Sequence, residues 1–204
     1  MDHPAVKKPA AVSTIAGDAQ VDRAIATLVL AFSIDPVARW MYDGPHQYLQ
    51  HIPQLFRALG TASFEAGAAH RSDDGLGVAL WLPPDVHADE APLQAAVAQG
   101  IASHKQGDVI ALLERTEHYR PSEPHWYLSL IGVEALHRNK GCGAALLAHG
   151  LQQCDRGLRP AYLWSSNRRN TSLYERHGFR IADSIQVGSS PAIFPMLRPA
   201  RREC

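Results

Sequence analysis

A glycine-containing loop between an apolar run and a helix-forming segment is the feature that most constrains this sequence. The apolar run ends at Val133, and the loop that follows reads Arg138-Asn139-Lys140-Gly141-Cys142-Gly143-Ala144. Glycine has no Cβ, so the backbone N–H groups of such a loop can converge on a ligand. The unpaired N–H groups and the positive dipole end of the next helix favour an anion at the same place. The pattern predicts a strand–loop–helix unit that binds a diphosphate.

The loop lacks residues that two common phosphate-binding loops require. A Walker-type loop continues with Lys and then Ser or Thr, and no Ser or Thr follows these glycines to hold Mg²⁺. A dinucleotide fingerprint has a third glycine, where this chain has Leu146, and an acidic residue at the end of the next strand, which here ends near Trp164. A protein that binds ATP or NAD through this loop is therefore the weaker alternative, and it predicts competition by those ligands.

A second motif begins about thirty residues after the first glycine of the loop. It comprises Asn170 and the run Leu173-Tyr174-Glu175-Arg176-His177-Gly178-Phe179. The two motifs resemble, in order and separation, the signatures of the GNAT N-acetyltransferases, Gln/Arg-x-x-Gly-x-Gly/Ala and Asn-x-x-(Leu/Phe)-Tyr-x-(Arg/Lys)-x-Gly-Phe. Residues 120–198 resemble more narrowly the branch of puromycin N-acetyltransferase and its bacterial relatives, through Glu123-Pro124-His125-Trp126-Tyr127-Leu128, Ile131-Gly132-Val133 and Pro160-Ala161-Tyr162-Leu163.

The resemblance implies a mixed α/β fold, the GNAT acyl-CoA N-acyltransferase fold, with a central mixed sheet flanked by helices. In this fold the fourth and fifth strands splay apart, and the pantetheine arm of acetyl-CoA lies in the opening. Backbone groups of the fourth strand would pair with the pantetheine amides as an added strand does. The residues that the resemblance assigns to acetyl-CoA are Ile131, Val133, Arg138, Asn139, Lys140, Gly141, Cys142, Gly143, Ala144 and Asn170. The implied chemistry needs no metal.

Tyr174 matches the general acid of the family. A phenol within hydrogen-bond reach can protonate the thiolate that leaves when an amine attacks the thioester. The alternative for Tyr174 is a core tyrosine whose hydroxyl bonds a carbonyl. The base that deprotonates the amine is not identified by the sequence. The candidates are His125 or Glu123, and beyond them His118 or Glu134, since histidine titrates near neutral pH and all lie near the strand that meets acetyl-CoA.

One departure from the narrower branch concerns the acceptor. Where puromycin N-acetyltransferase has Leu-Glu-Thr-Ser, this chain has Leu163-Trp164-Ser165-Ser166. An indole in place of a carboxylate removes a partner for a cationic acceptor and adds bulk and an aromatic face. Trp164 is therefore predicted to line the acceptor site, and the resemblance leaves open whether puromycin is a substrate.

Composition excludes several other classes of function. Lys plus Arg and Asp plus Glu both number 20 in 204 residues, so no global field attracts nucleic acid or a membrane. Three cysteines at no metal-like spacing argue against a disulfide framework and favour a reducing cytoplasm. The N-terminal residues precede no hydrophobic stretch of signal-peptide or membrane-spanning length. The length suits one domain over residues 1–204, with residues 1–11 a loose leader.

Hydrophobic periodicity and turn residues predict the order of the elements. Strands are predicted at 12–15, 75–82, 125–133 and 161–165, with a closing hairpin formed by 179–187 and 193–197. Helices are predicted at 18–32, at 45–64 with a kink or division at Pro53, at 91–119 with a break around Gly107, at 143–155 and at 169–177. This order is typical of a mixed α/β protein.

These observations lead to one functional prediction, an N-acetyltransferase that moves an acetyl group from acetyl-CoA to a primary amine of an unidentified small molecule. The amine is expected to attack the thioester directly in a ternary complex. The protein is expected in the cytoplasm as a monomer or homodimer. The alternative is a non-catalytic module that binds and senses acetyl-CoA, and release of CoA with a panel of amines would distinguish the two.

Overall fold

The computed structural model describes residues 11–201, so the predicted leader lies outside the described residues except for Ala11. The strands are β1 Val12–Thr14, β2 Ala69–Ser72, β3 Gly77–Leu82, β4 Trp126–Val133, β5 Ala161–Ser165, β6 Arg180–Ile181 and β7 Phe194–Arg198. The helices are α1 Asp18–Ala31, α2 Pro36–Met41, α3 Pro45–Glu65, α4 Glu90–Gly100, α5 Ser103–Glu117, α6 Cys142–Arg156 and α7 Thr171–Arg176. Short 3₁₀ turns occur at Ala135–His137 and Arg168–Asn170.

The strands form one seven-stranded sheet in the order β1-β2-β3-β4-β5-β7-β6. All neighbouring pairs are antiparallel except β4 and β5, which are parallel. Alternate residues of β3 face two hydrophobic clusters, because successive side chains of a strand point to opposite faces. Val78 and Leu80 pack with residues of α1, α3 and α4, whereas Ala79 and Trp81 pack with α6. The predicted mixed α/β class, a mixed sheet flanked by helices, is confirmed.

The centre of the sheet opens where β4 and β5 diverge. These strands pair at Trp126 with Ala161 and at Tyr127 with Tyr162, and at no later position. On the side that faces β5, the backbone of β4 from Leu128 to Val133 therefore has no strand partner among residues 11–201. The remainder of β4 stays paired to β3 as far as Val133, so the opening has one rigid wall.

A β-bulge at Ser129 lies beside this opening. Leu80 of β3 pairs with Leu130 and the next residue, Trp81, pairs with Leu128, so Ser129 is the extra residue on β4. Its hydroxyl donates a hydrogen bond to the carbonyl of Leu80 at 3.1 Å. Bulges bend a strand and increase its local twist, and they are frequent next to active sites. The bulge thus helps to turn β4 away from β5.

Two elements differ from the sequence prediction. The region 91–119 divides at Ile101–Ala102 rather than around Gly107, which lies in the exposed face of α5, where a Cβ would have no atom within 4 Å. An exposed helical glycine costs about 1 kcal/mol and does not by itself end a helix. At Gly100, a Cβ would lie 2.8 Å from the Cβ of His51, so close contact with α3 requires glycine at the end of α4. Pro53 lies inside a continuous α3.

Two short elements, α2 and β2, were absent from the sequence prediction. Asp35 caps the N-terminus of α2, and Pro36 occupies the first turn, where a missing N–H costs nothing. β2 contains His70 and Arg71, whose polar side chains hide the strand pattern, although His70 is buried. No helix in residues 11–201 is both long enough and apolar enough to span a membrane.

Candidate active site

A large cavity of about 510 Å³ lies at the end of β4, next to the place where this strand diverges from β5. It is lined by the end of β4, the glycine-containing loop, the last turn of α1 and one side of α7. Eight of the ten residues assigned to acetyl-CoA line it, namely Ile131, Val133, Arg138, Asn139, Gly141, Gly143, Ala144 and Asn170. The two motifs, separate in sequence, therefore meet at one cavity.

The glycine-containing loop ends as the N-terminus of α6. Gly141 is the N-cap residue and has φ of 91°, a left-handed conformation that favours glycine. Asn139 also has a positive φ, 61°, which asparagine tolerates better than most residues. Around Gly143 a Cβ would meet only side-chain carbons of Leu173 and Val133, at 3.6 and 3.7 Å, and its position faces the cavity. The first N–H groups of α6 are thus exposed to a ligand at this point.

Lys140 and Cys142 do not line the large cavity. Lys140 is exposed. Cys142 is buried, with its sulfur against β2 and β3, and burial raises the pKa of its thiol. A buried thiol of raised pKa is not a nucleophile, so Cys142 serves packing.

Arg138 joins three segments around the cavity. Its Nε donates to the carbonyl of Val133 at 3.2 Å, and its Nη2 donates to the carbonyl of Ala31 at 2.5 Å. The guanidinium therefore links the loop to the ends of β4 and α1. Arg169 and Arg176 also line the cavity and are exposed, so the cavity carries positive charge where a polyanionic ligand would lie.

A small cavity of about 50 Å³ lies deeper between β4 and β5. Phe32, Ile131, Asn170 and Tyr174 line both cavities, so the two are adjoining. Tyr174 is buried, and its pKa is raised, first by burial and second by the negative charge of Asp35. Its phenol therefore stays protonated at neutral pH and can donate a proton. Asn170 is exposed and its side chain makes no capping hydrogen bond, which leaves its amide free to meet a ligand.

Trp164 lines the small cavity, as does Ser129 at the bulge. The indole Nε1 donates a hydrogen bond to the hydroxyl of Tyr127 at 3.0 Å. The guanidinium carbon of Arg120 lies 4.2 Å from the centre of the Tyr127 ring. The indole thus belongs to an aromatic and cationic group that adjoins the small cavity.

The residues considered as bases lie away from both cavities. His125 and Glu123 precede the paired end of β4, opposite to the end that opens, and His125 Nδ1 contacts the carbonyl of Glu123 at 2.9 Å. His118 caps the end of α5, with Nδ1 at 3.0 Å from the carbonyl of Glu114. Glu134 is outside the cavity lining and lies 3.7 Å from His137. None of these four residues lines either cavity, whereas Tyr174 lines both.

Two polar residues that the sequence prediction did not assign lie at the site instead. Asp35 lines the large cavity and Ser166 lines the small one, and the Ser166 hydroxyl donates a hydrogen bond to Asp35 Oδ2. Burial raises the pKa of Asp35, against the lowering effect of its hydrogen bonds. The Asp35-Pro36 pair was the available signal, because Asp followed by Pro marks a helix N-terminus.

Comparisons with known proteins agree with this geometry. Residues 96–181 match the family model of the acetyltransferase (GNAT) domain. An uncharacterized N-acetyltransferase of Schizosaccharomyces pombe is 28% identical over 187 residues, covering 81% of this chain and 72% of that protein. The structure of the Corynebacterium glutamicum protein named histone acetyltransferase HPA2 and related acetyltransferase superposes with a TM-score of 0.69 at 25% identity, covering 96% of this chain and 98% of that one.

More distant structures share the fold. Arylalkylamine N-acetyltransferase 2 of Aedes aegypti superposes with a TM-score of 0.63 at 14% identity, over 94% of this chain and 99% of that one. The family model, the shared fold and the cavity at which the two motifs meet thus all point to the same class of enzyme. Residues 96–181 therefore match a GNAT acetyltransferase domain, and this match, the N-acetyltransferase relative and the shared fold together indicate an acyltransferase enzyme.

Proposed function

We propose that this enzyme transfers the acetyl group of acetyl-CoA to a primary amine of a small molecule, by direct attack of the amine on the thioester in a ternary complex. The observation that carries the proposal is the meeting of the two cavities at Tyr174. One cavity is large enough for the pantetheine arm, and the other offers a separate, partly aromatic approach to the same phenol.

The residues around the large cavity fit acetyl-CoA. The exposed N–H groups at Gly141 and Gly143, at the start of α6, suit the pyrophosphate. Arg169 and Arg176 add positive charge at the same surface. The backbone of β4 from Ile131 to Val133 lines the large cavity and has no strand partner on its open side among residues 11–201, so its polar groups are available to the pantetheine amides.

Tyr174 is suited to the role of general acid. Its burial keeps the phenol neutral, and Tyr174 lines both cavities, which supports a role where they adjoin. When the amine nitrogen bonds to the acetyl carbon, the carbon–sulfur bond breaks and the phenol supplies the proton that the departing thiolate takes. Electrostatic help of this kind is stronger in a site that excludes water, as the burial of Tyr174 provides.

A small amine is the acceptor class that the site favours. The small cavity of about 50 Å³ is enclosed by Leu128, Leu163 and Trp164, which suits a short amine arm rather than a broad surface. Two structures of the same fold come from enzymes named for small amines, an arylalkylamine N-acetyltransferase and an agmatine N-acetyltransferase. The structure of the agmatine N-acetyltransferase superposes with a TM-score of 0.60 at 15% identity, over 91% of this chain and 97% of that one.

Two measurements test the proposal in sequence. Acetyl-CoA should raise the melting temperature of the protein, since a ligand that binds only the folded state stabilises it by mass action. Release of CoA thiol should then follow addition of phenethylamine, agmatine or puromycin. Stabilisation by acetyl-CoA without thiol release for any amine would favour the alternative, a non-catalytic acetyl-CoA-binding module, whereas equal stabilisation by ATP or NAD would overturn the assignment to acetyl-CoA.

A further inference from the structure

Asp35 is the one carboxylate among residues 11–201 that lines either cavity. It lies between α1 and α2, and 9% of its surface is exposed. Buried carboxylates are rare unless they are paired or hydrogen-bonded, so Asp35 is expected to have a structural or a functional role. One such role is structural, because Asp35 is the N-cap residue of α2.

The cap uses only one of the two carboxylate oxygens. Oδ1 accepts hydrogen bonds from the backbone N–H groups of Val37 at 3.0 Å and Ala38 at 3.1 Å. Oδ2 instead accepts the hydroxyl of Ser166, which follows β5 and lines the small cavity. A hydroxyl that donates one proton keeps two lone pairs to accept others. Ser166 thus connects the small cavity to the buried carboxylate.

The charged and titratable groups that influence the pKa of Asp35, or whose pKa Asp35 influences, come from four other segments. Besides Ser166 after β5, they are Arg138 in the loop after β4, Tyr174 on α7 and Tyr48 on α3. Arg138 and the hydrogen bonds lower the pKa of Asp35, but desolvation by burial is the largest effect and leaves the pKa raised above its ordinary value. A carboxylate of raised pKa accepts a proton more readily than one in water does.

We propose that Asp35 takes up the proton of the incoming ammonium group, relayed by the hydroxyl of Ser166. This proposal rests on the proposed amine acetylation and assigns the proton acceptor to a residue of the cavity lining, whereas His125 and Glu123 line neither cavity. It also specifies the acceptor as an amine that enters as a cation, because the site supplies both a negative charge and a place for the proton.

The protons balance over one turnover. The ammonium gives one proton to Ser166 Oγ while Ser166 gives its own to Asp35 Oδ2, which leaves a neutral amine beside the thioester. The nitrogen then bonds to the acetyl carbon, the carbon–sulfur bond breaks, and Tyr174 protonates the thiolate of CoA. The remaining surplus proton on nitrogen restores the phenol of Tyr174. Asp35 releases its proton to water once the products leave.

Asp35→Asn separates this role from helix capping. Asparagine is as good an N-cap residue as aspartate, so the α2 cap is retained, but an amide cannot take up a proton. The matched control is Asp89→Asn, because Asp89 caps α4 through the N–H of Ala91 and lies outside both cavities. Ser166→Ala removes the relay and leaves the cap untouched, so it carries the same test if Asp35→Asn folds poorly.

The readout is the pH dependence of kcat/KM for phenethylamine, measured by CoA release with acetyl-CoA at saturation. In the wild type the ammonium form reacts, so kcat/KM should stay level between the pKa of Asp35 and that of the amine. In Asp35→Asn and Ser166→Ala only the free amine reacts, so kcat/KM should fall about 10²–10⁴-fold at neutral pH and recover about tenfold per pH unit as the pH rises. Asp89→Asn should follow the wild type.

Stabilisation by acetyl-CoA should be unchanged in Ser166→Ala and Asp89→Asn, since neither residue lines the large cavity. Wild-type kcat/KM and a wild-type profile in both Asp35→Asn and Ser166→Ala would overturn the proposal and leave Asp35 a helix cap. A uniform loss at every pH, with no recovery, would also overturn it in favour of a structural role. Failure of the wild type to release CoA with any of the three amines would instead overturn the proposed function on which the inference rests.

Discussion

Gly150 of α6 lies directly against the indole of Trp81, a fully buried side chain of β3. A Cβ at Gly150 would come within 2.2 Å of Trp81 Nε1 and 2.4 Å of Cε2, so the helix can approach the sheet this closely only with glycine. Trp81 in turn sits in the cluster that supports α6 and Tyr174. This single contact therefore sets the distance between the sheet and the helix that begins at the acetyl-CoA site.

Gly150→Ala should destabilise the protein. The added methyl group forces Trp81 or α6 to shift, and overpacking of this kind typically costs about 1–3 kcal/mol. That cost exceeds the gain of about 0.5–1 kcal/mol that alanine brings to a helix interior. The free energy of unfolding in urea should fall accordingly.

Gly107→Ala is the matched control for that measurement. It makes the same replacement in exposed α5, where no atom lies within 4 Å of the added Cβ, so the free energy of unfolding should rise by about 0.5–1 kcal/mol. Opposite signs for the two variants are expected. A stabilising Gly150→Ala would show that Trp81 repacks without cost.

The elements around the glycine-containing loop could be predicted from the sequence because their signals are local. The apolar run of β4, the glycines before α6 and the short helix α7 each carry their pattern within a few residues, and the structure has all three close to the predicted bounds. The mixed sheet follows from the order of such elements. Local pattern is enough here because each segment packs with its apolar face on the core.

The pairing of Asp35 with Ser166 could not be predicted in the same way. These residues are 131 positions apart, and neither is unusual in its own segment. Their contact depends on where α2 begins and on how far β5 diverges from β4, which are properties of the packed sheet. The hydrogen bond from Trp164 to Tyr127 depends on the same divergence. Side chains that meet across the opening therefore become visible only in three dimensions.

Gly143→Val should abolish stabilisation by acetyl-CoA without unfolding the protein. A Cβ at Gly143 makes only ordinary contacts with Leu173 and Val133, at 3.6 and 3.7 Å, but the larger side chain would occupy the cavity in front of the α6 N–H groups. Stabilisation of about 2.7 kcal/mol is expected for the wild type at a ligand concentration 100 times Kd. The variant should keep its melting temperature and lose most of that increment.

Cys142→Ala is the neighbouring control. Cys142 is buried outside the cavity, so its loss should lower the free energy of unfolding by about 1 kcal/mol and leave the increment from acetyl-CoA in place. Differential scanning fluorimetry with and without acetyl-CoA measures both effects as changes in melting temperature. Equal loss of the increment in the two variants would count against binding by the backbone of the loop.

Tyr174→Phe should lower kcat by about 10²–10⁴-fold and leave binding of acetyl-CoA nearly unchanged, because it removes only the proton donor. Tyr162→Phe is the control, since the Tyr162 hydroxyl donates to the carbonyl of Thr116 at 2.7 Å and lines neither cavity. That variant should lose about 1 kcal/mol of stability and keep its kcat. A Tyr174→Phe enzyme with wild-type kcat, under conditions where chemistry limits the rate, would return Tyr174 to a packing role.

Trp164→Glu should shift preference towards large cationic amines. The indole lines the small cavity and is held by its hydrogen bond to Tyr127, so it narrows the approach and offers no charge. Glutamate is smaller and places a carboxylate beside the acceptor. The ratio of kcat/KM for puromycin to that for phenethylamine should therefore rise in Trp164→Glu, since this ratio reports discrimination between the two transition states.

Trp164→Phe removes the hydrogen bond but adds no charge, and its ratio should stay closer to that of the wild type. If wild type already prefers puromycin, or if glutamate and phenylalanine change the ratio equally, Trp164 acts by packing and does not select the acceptor.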